Sequence, residues 1–306
     1  MLSHDQLQRY LEHVKLSEAD LKPSLATLTA VHRQHMQCIP FANVTVARVP
    51  EQLLSLDFPK ASPDTSTDGI FTKLIDRKWG GYCFESNNLL SKALATLGFD
   101  LYCVAGRNLI GPPTWKPNPQ LIPNGFGHQV VLATVPEVPD VWYVVDSAFG
   151  SPTPLEPVAL RESSEEAGAT GASHRVRRGF IGRPGSPSAH DLAARPQECG
   201  WYMQRWSETD TEWLDLYVFN EKNLSLQNDF NMMNFYVANC ATSMFQKNLM
   251  ISIRTDEGGH GRNTLVNTTL KVFDKAGGIL EERELNTAED LRAALESYFG
   301  IVPLTS

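Results

Sequence analysis

Long apolar runs are missing from this chain: none reaches the roughly 20 residues that a bilayer-spanning helix needs. The opening Met1-Leu-Ser-His-Asp-Gln-Leu-Gln-Arg-Tyr10 also lacks the basic stretch and apolar core of a secretory signal, so the expected address is the cytosol, with no membrane partner. Basic charge is scarce. Lys and Arg number 27 against 35 Asp and Glu, a net charge of −8, and the longest basic cluster is Arg175-Val-Arg-Arg178, which argues against a nucleic-acid partner. Cysteine is scarce as well. Cys38, Cys83, Cys103, Cys199 and Cys240 are odd in number and widely spaced, with no C-x-x-C pair, which excludes a disulfide framework and a zinc ribbon. No His, Cys and carboxylate group has ligand spacing, so no metal is expected. The 306 residues, 42% hydrophobic, suffice for a large core in one large domain or two to three smaller ones.

The pattern of apolar residues changes along the chain. Leu25, Leu28, Val31 and His32 recur at helical spacing until Ile39-Pro40-Phe41 stops them, and Leu89, Leu90, Ala93, Leu94 and Leu97 do the same after Cys83, with Gly98 placed as a C-terminal cap. From about Asp100 short β-branched and aromatic runs predict strands over Leu101 to Ala105, Gln129 to Val135 and Val141 to Val145. Ser151 to Pro196 is rich in Pro, Gly, Ser and Ala and reads as long loops, with a possible strand over His174 to Phe180. Further strands are expected at Trp213 to Phe219, Leu249 to Arg254 and Thr264 to Phe273. A last helix opens with the Thr287/Asp290 capping pair and closes at Gly300.

Cys83 sits between Gly80-Gly81 and the first turn of a helix. Unpaired N–H groups and peptide dipoles favour a thiolate there, although a buried structural thiol after a turn fits the same stretch. Two apolar runs between Phe126 and Asp146 predict an antiparallel hairpin. Centred on Glu137, it sets Thr134 against Asp140 and His128 against Asp146, on one face. Asp146 ends an apolar run and needs a partner if buried. Cys83, His128 and Asp146 together have the logic of a nucleophile, its base, and a carboxylate that orients the base.

Three blocks, Gly80-Gly-Tyr-Cys-Phe-Glu-Ser-Asn87, Asn124-Gly-Phe-Gly-His128 and Val144-Val-Asp-Ser-Ala-Phe-Gly150, resemble the catalytic blocks of the arylamine N-acetyltransferases. Ile39-Pro-Phe-Ala-Asn43 and Ala241-Thr-Ser-Met-Phe245 resemble two further family segments. The resemblance implies an α+β multi-domain fold: a helical domain (1–98) carrying Cys83, a β-barrel domain (99–214) carrying His128 and Asp146, and an α/β lid (215–306). It implies ping-pong acyl transfer from acyl-CoA, through a Cys83 thioester, to an aromatic amine or hydrazine, and a place in xenobiotic metabolism. By the same resemblance Asn87 supports Asp146, Asn124, Gly125, Thr242 and Ser243 meet acyl-CoA, and Phe41 and Phe126 line the acceptor pocket. Acyl-CoA is then a co-substrate (acetyl, propionyl or malonyl), with no permanently bound cofactor; a cysteine hydrolase using the same triad is the alternative.

The chain departs from the family at one pair of positions. Trp79 stands where the motif has Arg before Gly-Gly, and Ala42 where it has Glu after Pro-Phe. Loss of both charges leaves no orphan ion and predicts an apolar Trp79–Ala42 contact. Arg77 is either a compensating cation or a solvated loop charge.

Overall fold

The computed structural model describes residues 1–18, 21–109, 125–162, 172–182, 185–207, 212–255 and 261–304. The chain opens with helices α1 (His4–His13) and α2 (Leu25–Cys38). A two-residue strand β1 (Phe41–Ala42), short helices α3 (Glu51–Leu54) and α4 (Thr67–Phe71), and α5 (Cys83–Thr96) follow. Ser24 starts α2 by accepting the Thr27 N–H on its hydroxyl. Gly98, at φ +92°, ends α5 in the left-handed region expected of it.

Strands β2 (Leu101–Asn108), β3 (Phe126–Thr134), β4 (Trp142–Val145), β5 (Val158–Ala159) and β6 (Ala172–Phe180) come next. They are followed by helix α6 (Ala189–Ala194) and strands β7 (Cys199–Ser207) and β8 (Leu214–Leu224). These strands form one sheet in the order β5-β4-β3-β2-β8-β7-β6, curled into a nearly closed barrel. β3 explains why its sequence shows no alternation. Val130 and Leu132 enter the barrel core with Val104, Met203 and Phe219, while Val131 and Ala133 pack outward on α1, α2 and α5. Both faces are buried, so both are apolar.

Helices α7 (Gln227–Asn239) and α8 (Met244–Lys247) lead to β9 (Met250–Thr255), β10 (Gly261–Val266), β11 (Thr269–Phe273), β12 (Ile279–Glu284) and α9 (Ala288–Phe299). β1 pairs with β9, and the second sheet runs β1-β9-β10-β11-β12. The run Thr264 to Phe273 is two strands rather than one. Asn267, at φ +55°, turns the chain between them, a conformation Asn tolerates better than most side chains. The Thr287 hydroxyl and Asp290 carboxylate cap α9 reciprocally, and Gly300 is left-handed. α6 and α7 were not read from the sequence. We propose that the boundary expected after 214 lies after Leu224, because β8 pairs inside the larger sheet.

The predicted hairpin forms in a different register. Thr134 pairs with Trp142, not Asp140, and Val131 with Val145, so the ladder is centred on Val138. The connection 135–141 makes two successive turns, Val138 N–H to Val135 O and Val141 N–H to Val138 O, which lengthens it beyond the tighter loop assumed. The slip is two residues, an even number, so the faces are kept and His128 meets Asp146 diagonally instead of directly.

Candidate active site

Cys83 is the first residue of α5 and is buried. Two glycines let the chain reach that point. Gly80 has φ +65°, and a Cβ there would lie 2.3 Å from Pro40 O; Gly81 carries no side chain where Glu85 Cβ would stand 2.8 Å away. The stretch is fastened to β1 by Ala42 N–H to Gly81 O (3.1 Å) and Gly81 N–H to Pro40 O (3.2 Å). Glu85, fully buried, accepts from Lys73 Nζ at 2.7 Å and from the Tyr82 N–H at 3.3 Å.

His128 Nε2 lies 2.7 Å from Asp146 Oδ2, and the Cys83 thiol is near enough to act on the imidazole. Cys83 Sγ also contacts Gly127 O at 3.6 Å. Burial alone would lower the His128 pKa, but the Asp146 charge, its hydrogen bond and the contact with Cys83 raise it to about 10. Burial likewise opposes the Asp146 charge. The His128 cation and the donors on Asn87 and Ala148 override it and bring the carboxyl below its usual value. Asn87 Nδ2 donates to Asp146 Oδ1 (2.8 Å) and Gln129 O (2.7 Å), while its Oδ1 accepts from Ser147 N–H and Oγ–H (each 2.9 Å).

Several supporting residues were not read from the sequence. His32 holds the Asp146 backbone carbonyl at 2.9 Å. Tyr217 packs its ring 4.8 Å from that of His128, and Phe149 lies 5.0 Å from His128 and 4.8 Å from Tyr217, so the three rings form a mutual cluster. The Tyr217 hydroxyl is buried beside Asp146 without a hydrogen bond of ordinary geometry; burial and that negative charge keep it protonated. Phe149 lay inside a quoted block, and His32 and His35 stand three apart on α2, but neither spacing names a partner across the fold.

A cavity of about 280 Å³ opens on Cys83 and His128. Its wall is largely apolar, with Phe41, Phe149, Phe245 and Met250, and Arg205 also faces it. Phe41 therefore lines the cavity that opens on Cys83. Phe126 is outside it: it is 38% exposed and carries the Arg107 guanidinium 3.7 Å over its ring, because the ladder slips at this end of β3, where His128 faces Gly106 but Phe126 faces Arg107. Gly125 is exposed just outside the cavity, and Asn124 lies outside the described residues. Thr242 Oγ1 contacts Cys240 Sγ at 3.1 Å and Ser243 caps α8 through the Phe245 N–H, so the following Met244 and Phe245 reach the cavity and the two hydroxyls do not.

The missing family charges are replaced by apolar packing. Trp79 is buried in the same cluster as Ala42, meets Phe58 edge-on at 5.5 Å, and donates its indole N–H to Val302 O at 2.8 Å. Arg77 stacks on the Trp79 ring at 4.8 Å.

A family model described as N-acetyltransferase matches residues 24–304. The arylamine N-acetyltransferase of Mycolicibacterium smegmatis is 30% identical over 284 residues, 92% of this chain and 86% of its own. The N-malonyltransferase FDB2 of Gibberella moniliformis is 26% identical over 261 residues, 79% of this chain and 71% of its own. Among solved structures, the Mycobacterium marinum arylamine N-acetyltransferase in complex with CoA has a TM-score of 0.73 at 26% identity, covering 96% of this chain and 92% of that one.

Proposed function

The chain belongs to the arylamine N-acetyltransferase family, whose activity is CoA-dependent acyl transfer to arylamines, and from that premise we propose how its own residues carry the reaction. Cys83 Sγ attacks the thioester carbonyl of acyl-CoA, the carbon–sulfur bond to CoA breaks, and the departing thiolate takes a proton from His128. An arylamine or hydrazine nitrogen then attacks the Cys83 thioester, and His128 removes the amine proton as Cys83 is released. Asp146 holds His128 by Nε2, so its other ring nitrogen serves the sulfur, and Asn87 holds Asp146. The observation that carries this reading is the buried Cys83–His128–Asp146 line opening on one apolar cavity.

Phe41 and Phe149 offer faces to a flat aromatic acceptor. Gly125, just outside the cavity, is the described member of the pair proposed to meet the CoA pantetheine. A cysteine hydrolase loses its ground to the family membership. Acetyl is the simplest acyl group for an apolar wall. A second reading, malonyl transfer, is favoured by Arg205 on that wall and by the N-malonyltransferase relative. Five free cysteines suit a reducing compartment, and we place the protein in the cytosol.

Intact mass after incubation with acetyl-, propionyl- or malonyl-CoA, without amine, tests both readings. One acyl group on the wild type and none on Cys83→Ser is expected. Label retained in Cys83→Ser removes Cys83 from the mechanism. Malonyl loading that falls in Arg205→Met while acetyl loading holds selects the malonyl reading.

A further inference from the structure

The hydrogen bonds around Asn87 continue into the helical part of the chain, and each fixes the direction of the next. Asn87 Nδ2 faces two groups that only accept, Gln129 O and the Asp146 carboxylate, and its Oδ1 takes the Ser147 backbone N–H, so the carboxamide has one orientation. Ser147 Oγ, 2.9 Å from that Oδ1, must donate to it. Its one hydrogen is then used, and Ser86 Oγ, 3.4 Å away, must donate to Ser147. The Ser86 hydrogen is used in turn, so Ser86 accepts from His35 Nε2 at 2.9 Å. Burial holds the His35 pKa at about 3, with His32 and His13 as the nearby cationic influences, so the ring is neutral. Its bare Nδ1 accepts from the Tyr10 hydroxyl at 3.0 Å.

Tyr10, His35, Ser86, Asn87 and Asp146 are each at most 1% exposed, and Ser147 is 7% exposed. A polar line through an apolar core is costly unless every link is made, and here every link is made in one sense, from Tyr10 towards Asp146. Hydrogen bonds that point the same way polarise one another, and the polarisation ends on the carboxylate that holds His128.

We infer that His35 is a positioning residue for the triad, acting with Tyr10, Ser86 and Ser147 through this one-way chain to hold Asn87 and Asp146 in the geometry that seats His128. The inference rests on the triad reading above. Among the described residues, Asp146, Cys83 and Tyr217 face His128, and Arg205 lines the cavity it opens on.

The test is the pH dependence of iodoacetamide alkylation of Cys83, a readout that needs no acyl transfer. Asp146→Asn is the control for the triad itself: an unchanged profile there refutes the triad, and with it the inference. With that control shifted, Ser86→Ala, which cuts the longest link, and His35→Phe are expected to lower the upper inflection by about 0.5 pH unit or more. Ser86→Thr, which keeps the hydroxyl, should restore it, and KM for acyl-CoA should change little. Profiles of Ser86→Ala and Tyr10→Phe that superimpose on the wild type overturn the inference. So does nitrogen NMR that places the His35 proton on Nδ1, a readout on the unaltered chain that stands even if His35→Phe does not fold.

Discussion

Lys73→Met tests the support under the nucleophile most directly. Glu85 is fully buried two residues after Cys83. Its carboxylate has one cation, Lys73 Nζ at 2.7 Å, and one backbone donor, the Tyr82 N–H at 3.3 Å. Without the cation the carboxylate stays in a low-dielectric site, and its escape is to take up a proton. At about 1.4 kcal/mol per pH unit, protonating a carboxyl of ordinary pKa 4.5 costs about 3.5 kcal/mol at pH 7 and under about 1 kcal/mol at pH 5. Burial already holds the Glu85 pKa above its ordinary value, against the pull of Lys73. In the variant the folded state then binds more protons than the unfolded one, so stability falls as pH rises above about 4.5. Urea unfolding at pH 5 and pH 7 should therefore show a loss of about 3 kcal/mol at pH 7 that shrinks several-fold at pH 5. Lys73→Met/Glu85→Gln should recover most of it. A loss equal at both pH values, or a double variant no better than the single, would refute the reasoning.

Three other outcomes follow from the same geometry. Asp146→Asn should lower single-turnover acylation by about 10³-fold or more, because the amide does not hold the imidazolium; a rate within tenfold of wild type would remove Asp146 from the site. Trp79→Ala should cost about 3–5 kcal/mol in urea unfolding, since it empties an apolar cluster and frees the Val302 carbonyl; a loss below about 1 kcal/mol would mean that the cluster collapses around the gap. Buried His35 and His174 both have pKa values of about 3, held down chiefly by burial. Unfolded histidines take up protons below about pH 6.5 while these do not. Each should therefore cost about 1.4 kcal/mol per pH unit as pH falls from 6.5 towards 3, with no loss above 6.5. His128 does not offset this, because its raised pKa of about 10 leaves it protonated in both states below 6.5. A stability flat from pH 6.5 to 5 would contradict the burial of the pair.

What could be read from the sequence was whatever a short stretch specifies by itself. Thr287 with Asp290, Gly98 after α5 and the parity of His128 and Asp146 are local rules, and they hold in the fold even where the hairpin register moved by two residues. The resemblance carried Asn87 to its partner. Local stretches did not specify contacts made across the chain. Ser86 meets Ser147 and His35 meets Ser86 only because α2, α5 and the end of β4 converge, and no spacing announces that. Phe126 was misplaced for a related reason: its two-residue spacing to His128 would put both on one face of a regular strand, but the register slip that pairs Gly106 with His128 and Arg107 with Phe126 breaks the alternation between them.

The fastening of Trp79 to Val302, and of β1 to β9, has a consequence for the order in which the protein is made. Cys83, His128 and Asp146 have all left the ribosome well before residues 250–302. Yet the strand beside Cys83 gains its partner, and the tryptophan before Gly80 its acceptor, only from that late stretch. The nascent chain thus carries its thiol for most of synthesis without the wall that Phe245, Met250 and the second sheet put around it. Enclosure of the sulfur is coupled to completion of the fold, so a chain stalled before that stretch holds all three residues without the enclosed site that uses them.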